Sequence, residues 1–202
     1  MSDSAVPRVT VRRLILGSTS PYRRELLSRL RLPFDVVSPN VDETPLTGEA
    51  PRALALRLAM AKAQAVAALH PHAVIIGSDQ VADLDGEPLG KPGTHARATA
   101  QLQRMRSKTV VFHTAVAVIC LASGFSKVDL AEVRVKFRHL DDAEIERYLL
   151  AETPYDCAGS AKSEGLGIAL LESIDSDDPT ALVGLPLIRT CLMLRAAGVQ
   201  VL

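Results

Sequence analysis

The order of apolar and polar positions divides the 202-residue chain into short strands and helices that alternate for most of its length. Val9 to Leu16 reads as a short strand, followed by the small-residue turn Gly17-Ser18-Thr19-Ser20. Ser20 suits a helix cap and Pro21 a first helical position, and Tyr22, Leu26, Leu27 and Leu30 then recur at helical spacing. Phe34 to Val37 is extended, and Pro39 to Ala50 is a loop rich in Pro, Asp, Glu and Thr. Pro51 opens a long Ala/Leu helix running to about Leu69.

Ala73 to Gly77 reads as a short buried strand that ends at Ser78-Asp79-Gln80. Val81 to Leu84 and Glu87 to Gly90 flank Asp85-Gly86, a dipeptide that favours the type I′ hairpin turn. Thr94 caps a helix to about Met105, and Thr109 to Cys120 is a long β-rich run. Ser123-Gly124 is a turn, Val128 to Phe137 another strand, and Asp141 with Glu144 has capping-box spacing for a helix to about Leu150. A polar loop from Thr153 to Gly167, an extended stretch Ile168 to Ile174 and a helix Leu185 to Ala197 with Gly198 past its end complete the chain. Hairpins interrupt the alternation of strand and helix, so the pattern predicts an α/β protein with a mixed sheet and flanking helices. No linker separates independent domains. The expectation is a single domain over 1–202, and two lobes around a cleft are compatible with it.

Composition narrows the classes of function. Basic and acidic residues balance at 23 each, which excludes a generally basic nucleic-acid-coating protein. Aromatic residues are only 3% and Trp is absent, which argues against a stacking platform for single-stranded nucleic acid. Cys120, Cys157 and Cys191 are isolated and odd in number, so they read as reduced thiols. No apolar run approaches the roughly 20 residues of a membrane span. The expectation is a soluble cytoplasmic protein.

Charge is unevenly spread. Residues 1–31 hold seven arginines against Asp3 and Glu25, whereas residues 35–49 hold four acids and no base. Such a succession suits a site for both an anion and a cation, and an ordinary solvated surface accounts for it equally well. Ser18 to Arg24 joins a strand end, a helix start and two arginines, a place where backbone N–H groups and the helix dipole accept phosphate. A capped helix with a solvated Arg pair is the alternative. Asp79, after a buried strand, is placed to hold a metal or a water. In the hairpin, Leu84 facing Glu87 puts Lys91 opposite Gln80, beside Asp79. Gly86 to Lys91 is one residue short of a P-loop and Pro92 stands where Ser or Thr is needed, so that motif is excluded. Lys62 lies beside the stripe Leu54, Leu58, Ala61, Ala65 and either snorkels to water or points at an anion. Asp42-Glu43 offers hard oxygen ligands for Mg²⁺ or Mn²⁺. The histidines make no zinc-ligand pattern, and neither G-x-S-x-G nor G-x-G-x-x-G occurs.

In order and spacing, Ser18-Thr19-Ser20-Pro21 with Arg23 and Leu26-Leu27, Val41-Asp42-Glu43-Thr44, Leu58-Ala59 with Lys62-Ala63, Ser78-Asp79-Gln80, Gly90-Lys91-Pro92 and Val183-Gly184-Leu185-Pro186 resemble the Maf family of nucleoside triphosphate pyrophosphatases, from about Leu14 to Gly198. The resemblance implies water attack on the α-phosphorus of a nucleoside triphosphate, giving a monophosphate and pyrophosphate. It implies an elongated mixed α/β fold with a central cleft, related to the inosine triphosphatases, and frequently a homodimer. It implies Ser18, Arg23, Lys62 and Lys91 as phosphate-holding residues. Glu43 and Asp79 would hold a divalent cation (Mg²⁺, Mn²⁺ or Co²⁺), with Asp79 also the base for water.

Tyr22, Gln80 and Glu164 replace the Arg, Thr and Gln of the dTTP/UTP type and resemble the YceF-type subgroup, which acts on 7-methyl-GTP. Cys157 to Ser160 and Lys162 to Gly165 fit the same subgroup. A methylated guanine is a cation that an aromatic face attracts by ~0.5–2 kcal/mol, and a carboxylate accepts hydrogen bonds from the guanine N1–H edge. The departure is Tyr22, because the subgroup commonly has Trp there, a stronger cation–π partner. Tyr22 packing on Leu26 and Glu164 as a solvated acid are the bland readings. A dTTP/UTP-type pyrophosphatase and a nucleotide-binding regulator of cell division without turnover are the competing functions. No stable nucleic acid and no membrane are expected as partners.

Overall fold

The computed structural model describes residues 12–202. One mixed sheet organises them, with strands β1 (Leu14–Gly17), β2 (Asp35–Val37), β3 (Val74–Leu84), β4 (Glu87–Leu89), β5 (Thr109–Cys120), β6 (Phe125–Phe137) and β7 (Leu171–Ser176). The spatial order is β2-β1-β3-β5-β6-β7, and β4 pairs with β3 off that path. β1 is parallel to both β2 and β3, whereas β3, β5, β6 and β7 run antiparallel in succession. The helices are α1 (Pro21–Ser28), α2 (Pro51–Leu69), α3 (His95–Met105), α4 (Asp142–Glu152) and α5 (Leu187–Ala196). Fold class therefore matches the mixed α/β expectation.

β3 is the element that positions the site. One edge pairs continuously with β5, from Ile75 opposite Ile119 to Asp83 opposite Val111. The other edge is shared: β1 takes Val74 to Gly77, and β4 takes Ala82 to Leu84. Ser78 to Val81 have no strand partner on that side among the described residues. β4 runs antiparallel to β3 and β1 parallel to it, so the carboxyl ends of β1 and β4 point toward each other across this gap.

The gap divides the core. On one side α2 covers one face through Ile15, Ile75, Leu58 and Ala59, and α1 with α5 covers the other through Leu16, Ile76, Leu26 and Leu194. On the far side α3 and α4 pack Leu102, Ile145 and Leu149 against Leu84, Phe112 and Val133. α2 lies very close to the sheet. A Cβ built on Gly77 would sit 2.4 Å from Ala59 O and 2.5 Å from Ala63 N, so only glycine admits this approach.

Several local expectations are corrected. β1 covers Leu14–Gly17, and the start expected at Val9 lies outside the described residues. The strand expected to stop at Ser78-Asp79-Gln80 runs on to Leu84, so Asp79 lies inside a strand rather than after one. Ile168 begins within the 3-10 turn Leu166–Leu170, and only Leu171–Ser176 is strand. The Asp85-Gly86 turn has positive φ at both residues (57° and 88°), as type I′ requires, and Leu84 pairs with Glu87.

Candidate active site

Side chains alternate along β3, and that alternation sorts the polar residues. Gly77 and Asp79 face α2, and Ser78 and Gln80 face the segment around Gly184. Ser78 Oγ lies 2.8 Å from Ala115 O and 3.0 Å from Gly184 O. The Gln80 amide donates to the Ala181 and Leu182 carbonyls at 2.9 Å each. These bonds anchor the 181–184 segment on the strand. Gly184 has φ of 121°, and its carbonyl also accepts from Arg23 Nε at 2.8 Å.

On α2 the buried stripe is Leu54, Leu58, Lys62 and Val66, so Lys62 belongs to it rather than lying beside it. The helix's close seat on Gly77 brings the Lys62 Nζ to 2.7 Å from Asp79 Oδ1 and 2.8 Å from Glu43 Oε1. Lys62 and Asp79 are buried and Glu43 is exposed. The loop that carries Glu43 is tied to α2 by Arg57. Its guanidinium meets Glu49 with two bonds, of 2.6 and 2.7 Å, and donates to Thr44 O at 3.1 Å. Burial holds the Asp79 carboxyl above its usual range, with Lys62 and Arg23 opposing the shift. Burial lowers the Arg23 pKa, and Asp79 and Glu43 oppose that.

One cleft of about 520 Å³ gathers all nine residues singled out in the sequence: Ser18, Tyr22, Arg23, Glu43, Lys62, Asp79, Gln80, Lys91 and Glu164. It lies over the gap in the edge of β3. Ser18 enters from the end of β1, with its Oγ accepting from Ser20 N at 3.1 Å, and Lys91 enters just past the end of β4. Ser20 caps α1 by accepting from Arg23 N. Arg24, by contrast, is exposed and does not line the cleft.

Tyr22 forms a further wall of the cleft. The Tyr22 hydroxyl donates to Asp156 at 3.4 Å, and Cys157 Sγ is 3.9 Å from it. Burial, with Cys157, Asp156 and Glu164 nearby, keeps this phenol protonated well beyond its ordinary range and pushes the Cys157 thiol up to about 11. Glu164 is exposed at the rim. Lys162, which the sequence marks only as part of the 162–165 motif and without a role, places Nζ 5.8 Å from the Tyr22 ring centroid. Asp156 is unmarked in the sequence, and Cys157 enters it only as the start of the 157–160 motif. They lie in a polar loop with no periodicity, and their contact with Tyr22 spans some 130 residues of chain, which no local pattern reports.

Among the described residues no cluster of three His, Cys, Asp or Glu forms a ready-made metal site. Asp79 and Glu43 nevertheless reach the same point, since both touch one ammonium. Mg²⁺ and Mn²⁺ are commonly held by one or two carboxylates plus substrate phosphate oxygens, so this donor set fits such a cation.

A mixed sheet opened by a cleft in which carboxylates and cations meet defines an α/β protein suited to a polyanion. Residues 13–197 match the family described as Maf-like protein, and the chain belongs to that family. It is 72% identical over 191 residues to the 7-methyl-GTP pyrophosphatase of Albidiferax ferrireducens, covering 95% of this chain and 96% of that one. It is 76% identical over 190 residues to the 7-methyl-GTP pyrophosphatase of a Polaromonas species, covering 94% and 87%. Among solved structures, the Ham1 protein of Staphylococcus aureus aligns with 16% identity over 62% of this chain and 72% of that one, at a TM-score of 0.45. No helix of the described residues is long and apolar enough to cross a membrane.

Proposed function

We propose that this nucleotide pyrophosphatase hydrolyses 7-methyl-GTP to 7-methyl-GMP and pyrophosphate with the help of a divalent cation, using the cleft over the edge of β3. The observation that carries the reading is the buried Lys62–Asp79 contact at 2.7 Å, with Glu43, Arg23 and Lys91 around the same cleft. Phosphoryl transfer asks little covalent chemistry of a protein and much positioning of charge. Three cations and the N–H groups at the start of α1 hold the triphosphate. Asp79 takes a proton from water as its oxygen bonds to the α-phosphorus, and the bond to the bridging oxygen breaks, releasing pyrophosphate. Asp79 and Glu43 would hold the cation, which neutralises charge building on the phosphate oxygens.

The base is assigned to the Tyr22 wall. A 7-methylguanine carries positive charge, and Tyr22 offers it a neutral aromatic face beside two carboxylates, Asp156 and Glu164. The relatives named above bear the same substrate in their names. The test is pyrophosphate release from a nucleotide panel with Mg²⁺, Mn²⁺ or Co²⁺. Turnover should be highest with 7-methyl-GTP, and equal turnover of UTP would overturn the assignment.

A further inference from the structure

We propose that Lys162, held by Glu152 at the Tyr22 ring, sets how strongly this cleft prefers a positively charged base over a neutral one. The proposal rests on the base assignment above.

Lys162 is fixed in place from several sides. Its backbone N–H donates to the Tyr148 hydroxyl at 3.0 Å. Gly167 packs on its main chain so closely that a Cβ there would sit 2.4 Å from Lys162 O. Its ammonium meets Glu152 Oε1 at 3.2 Å, and the other Glu152 oxygen accepts from Leu166 N at 2.7 Å. So clamped, Nζ lies 5.8 Å from the Tyr22 centroid. Tyr22 lines the cleft, so an ammonium is already seated at the ring that would meet the base.

A ring that already holds one cation attracts a second less strongly, because both draw on one quadrupole and repel each other. Glu152 cancels much of that repulsion. Lys162 therefore lowers the preference for a methylated, cationic guanine, and Glu152 restores part of it. The two residues act through Tyr22 as positioning groups, with opposite signs.

That opposition supplies the test. Dissociation constants for 7-methyl-GMP and GMP, measured calorimetrically, read base recognition without chemistry. A surface cation–π contact corresponds to a change on the order of 2- to 5-fold. Lys162→Met should raise the GMP/7-methyl-GMP ratio of dissociation constants by that factor, Glu152→Gln should lower it, and Lys162→Arg should keep the wild-type ratio. A packing role alone would move the Met and Gln variants in the same direction, with a matching loss of melting temperature. Ratios that shift together, or stay fixed, overturn the proposal, as does a wild-type protein that binds neither monophosphate. Wild-type preference for 7-methyl-GMP with unmoved variant ratios would remove the role of Lys162 and leave the base assignment standing. Equal binding of both by the wild-type protein would remove the assignment itself.

Discussion

Asp79 Oδ1 lies 2.7 Å from Lys62 Nζ, and both side chains are more than nine-tenths buried beneath the cleft. One sits in the middle of a strand and the other in the apolar stripe of a helix, and Glu43 Oε1, 2.8 Å from Lys62 Nζ, gives the ammonium a second acceptor. Asp79→Asn keeps the shape and an oxygen for Lys62 but loses the base. Turnover should fall by roughly 10²- to 10⁴-fold with no loss of melting temperature. Steady-state kinetics beside a thermal melt checks both halves, and near-normal turnover would refute the role.

Burial lifts the Asp79 pKa, and this has two consequences of opposite sign. The base must be ionised, so kcat/KM should begin to fall at a higher pH than the ~3.9 of an exposed Asp would give. The folded state holds this proton more tightly than the unfolded one. Its contribution to stability is then fullest below the unfolded pKa and is lost as pH rises through the folded one. Urea titrations of wild type and Asp79→Asn between pH 4 and 8 should show the variant gaining relative stability with pH.

Lys62→Met leaves Asp79 buried without its nearest cation. A loss of about 3 kcal/mol is expected from breaking such a pair, read by denaturant unfolding. In any residual activity the acid limb should move to higher pH, since Lys62 is the largest influence lowering the Asp79 pKa.

Gly77→Ala puts a methyl group into the backbone of α2 at Ala59 and Ala63. Helix and strand cannot both stay in place, so destabilisation of roughly 1–3 kcal/mol or more is expected. Activity should fall with it, because the shift carries Lys62 away from Asp79. An alanine variant as stable and active as wild type would show that the close approach is dispensable.

Arg57→Ala releases the loop from its bidentate hold on Glu49 and its bond to Thr44 O, one residue after Glu43. The apparent affinity for the proposed divalent cation should drop roughly tenfold, as when an outer supporting group is lost. A metal titration of activity at saturating nucleotide measures this.

Much of this architecture was legible because its signals are local. Pro51 and Leu69 bound α2 as the sequence indicates, Asp141 and Glu144 form the capping box, and Asp85-Gly86 makes the turn. β3 was cut short because Ser78, Asp79 and Gln80 look like a polar turn. They stay in the strand through partners far along the chain: Ala115 and Gly184 for Ser78, Lys62 for Asp79, Ala181 and Leu182 for Gln80. No local pattern reports such bonds. The seat of α2 on Gly77 and the cation over Tyr22 were hidden for the same reason.

The gap in the edge of β3 has a mechanical meaning. β3 runs through both halves of the molecule alongside β5, and between Ser78 and Val81 it is braced by β5 alone. The four residues that floor the cleft thus have sheet support from a single neighbour, and side chains reaching far along the chain supply the rest of their anchorage.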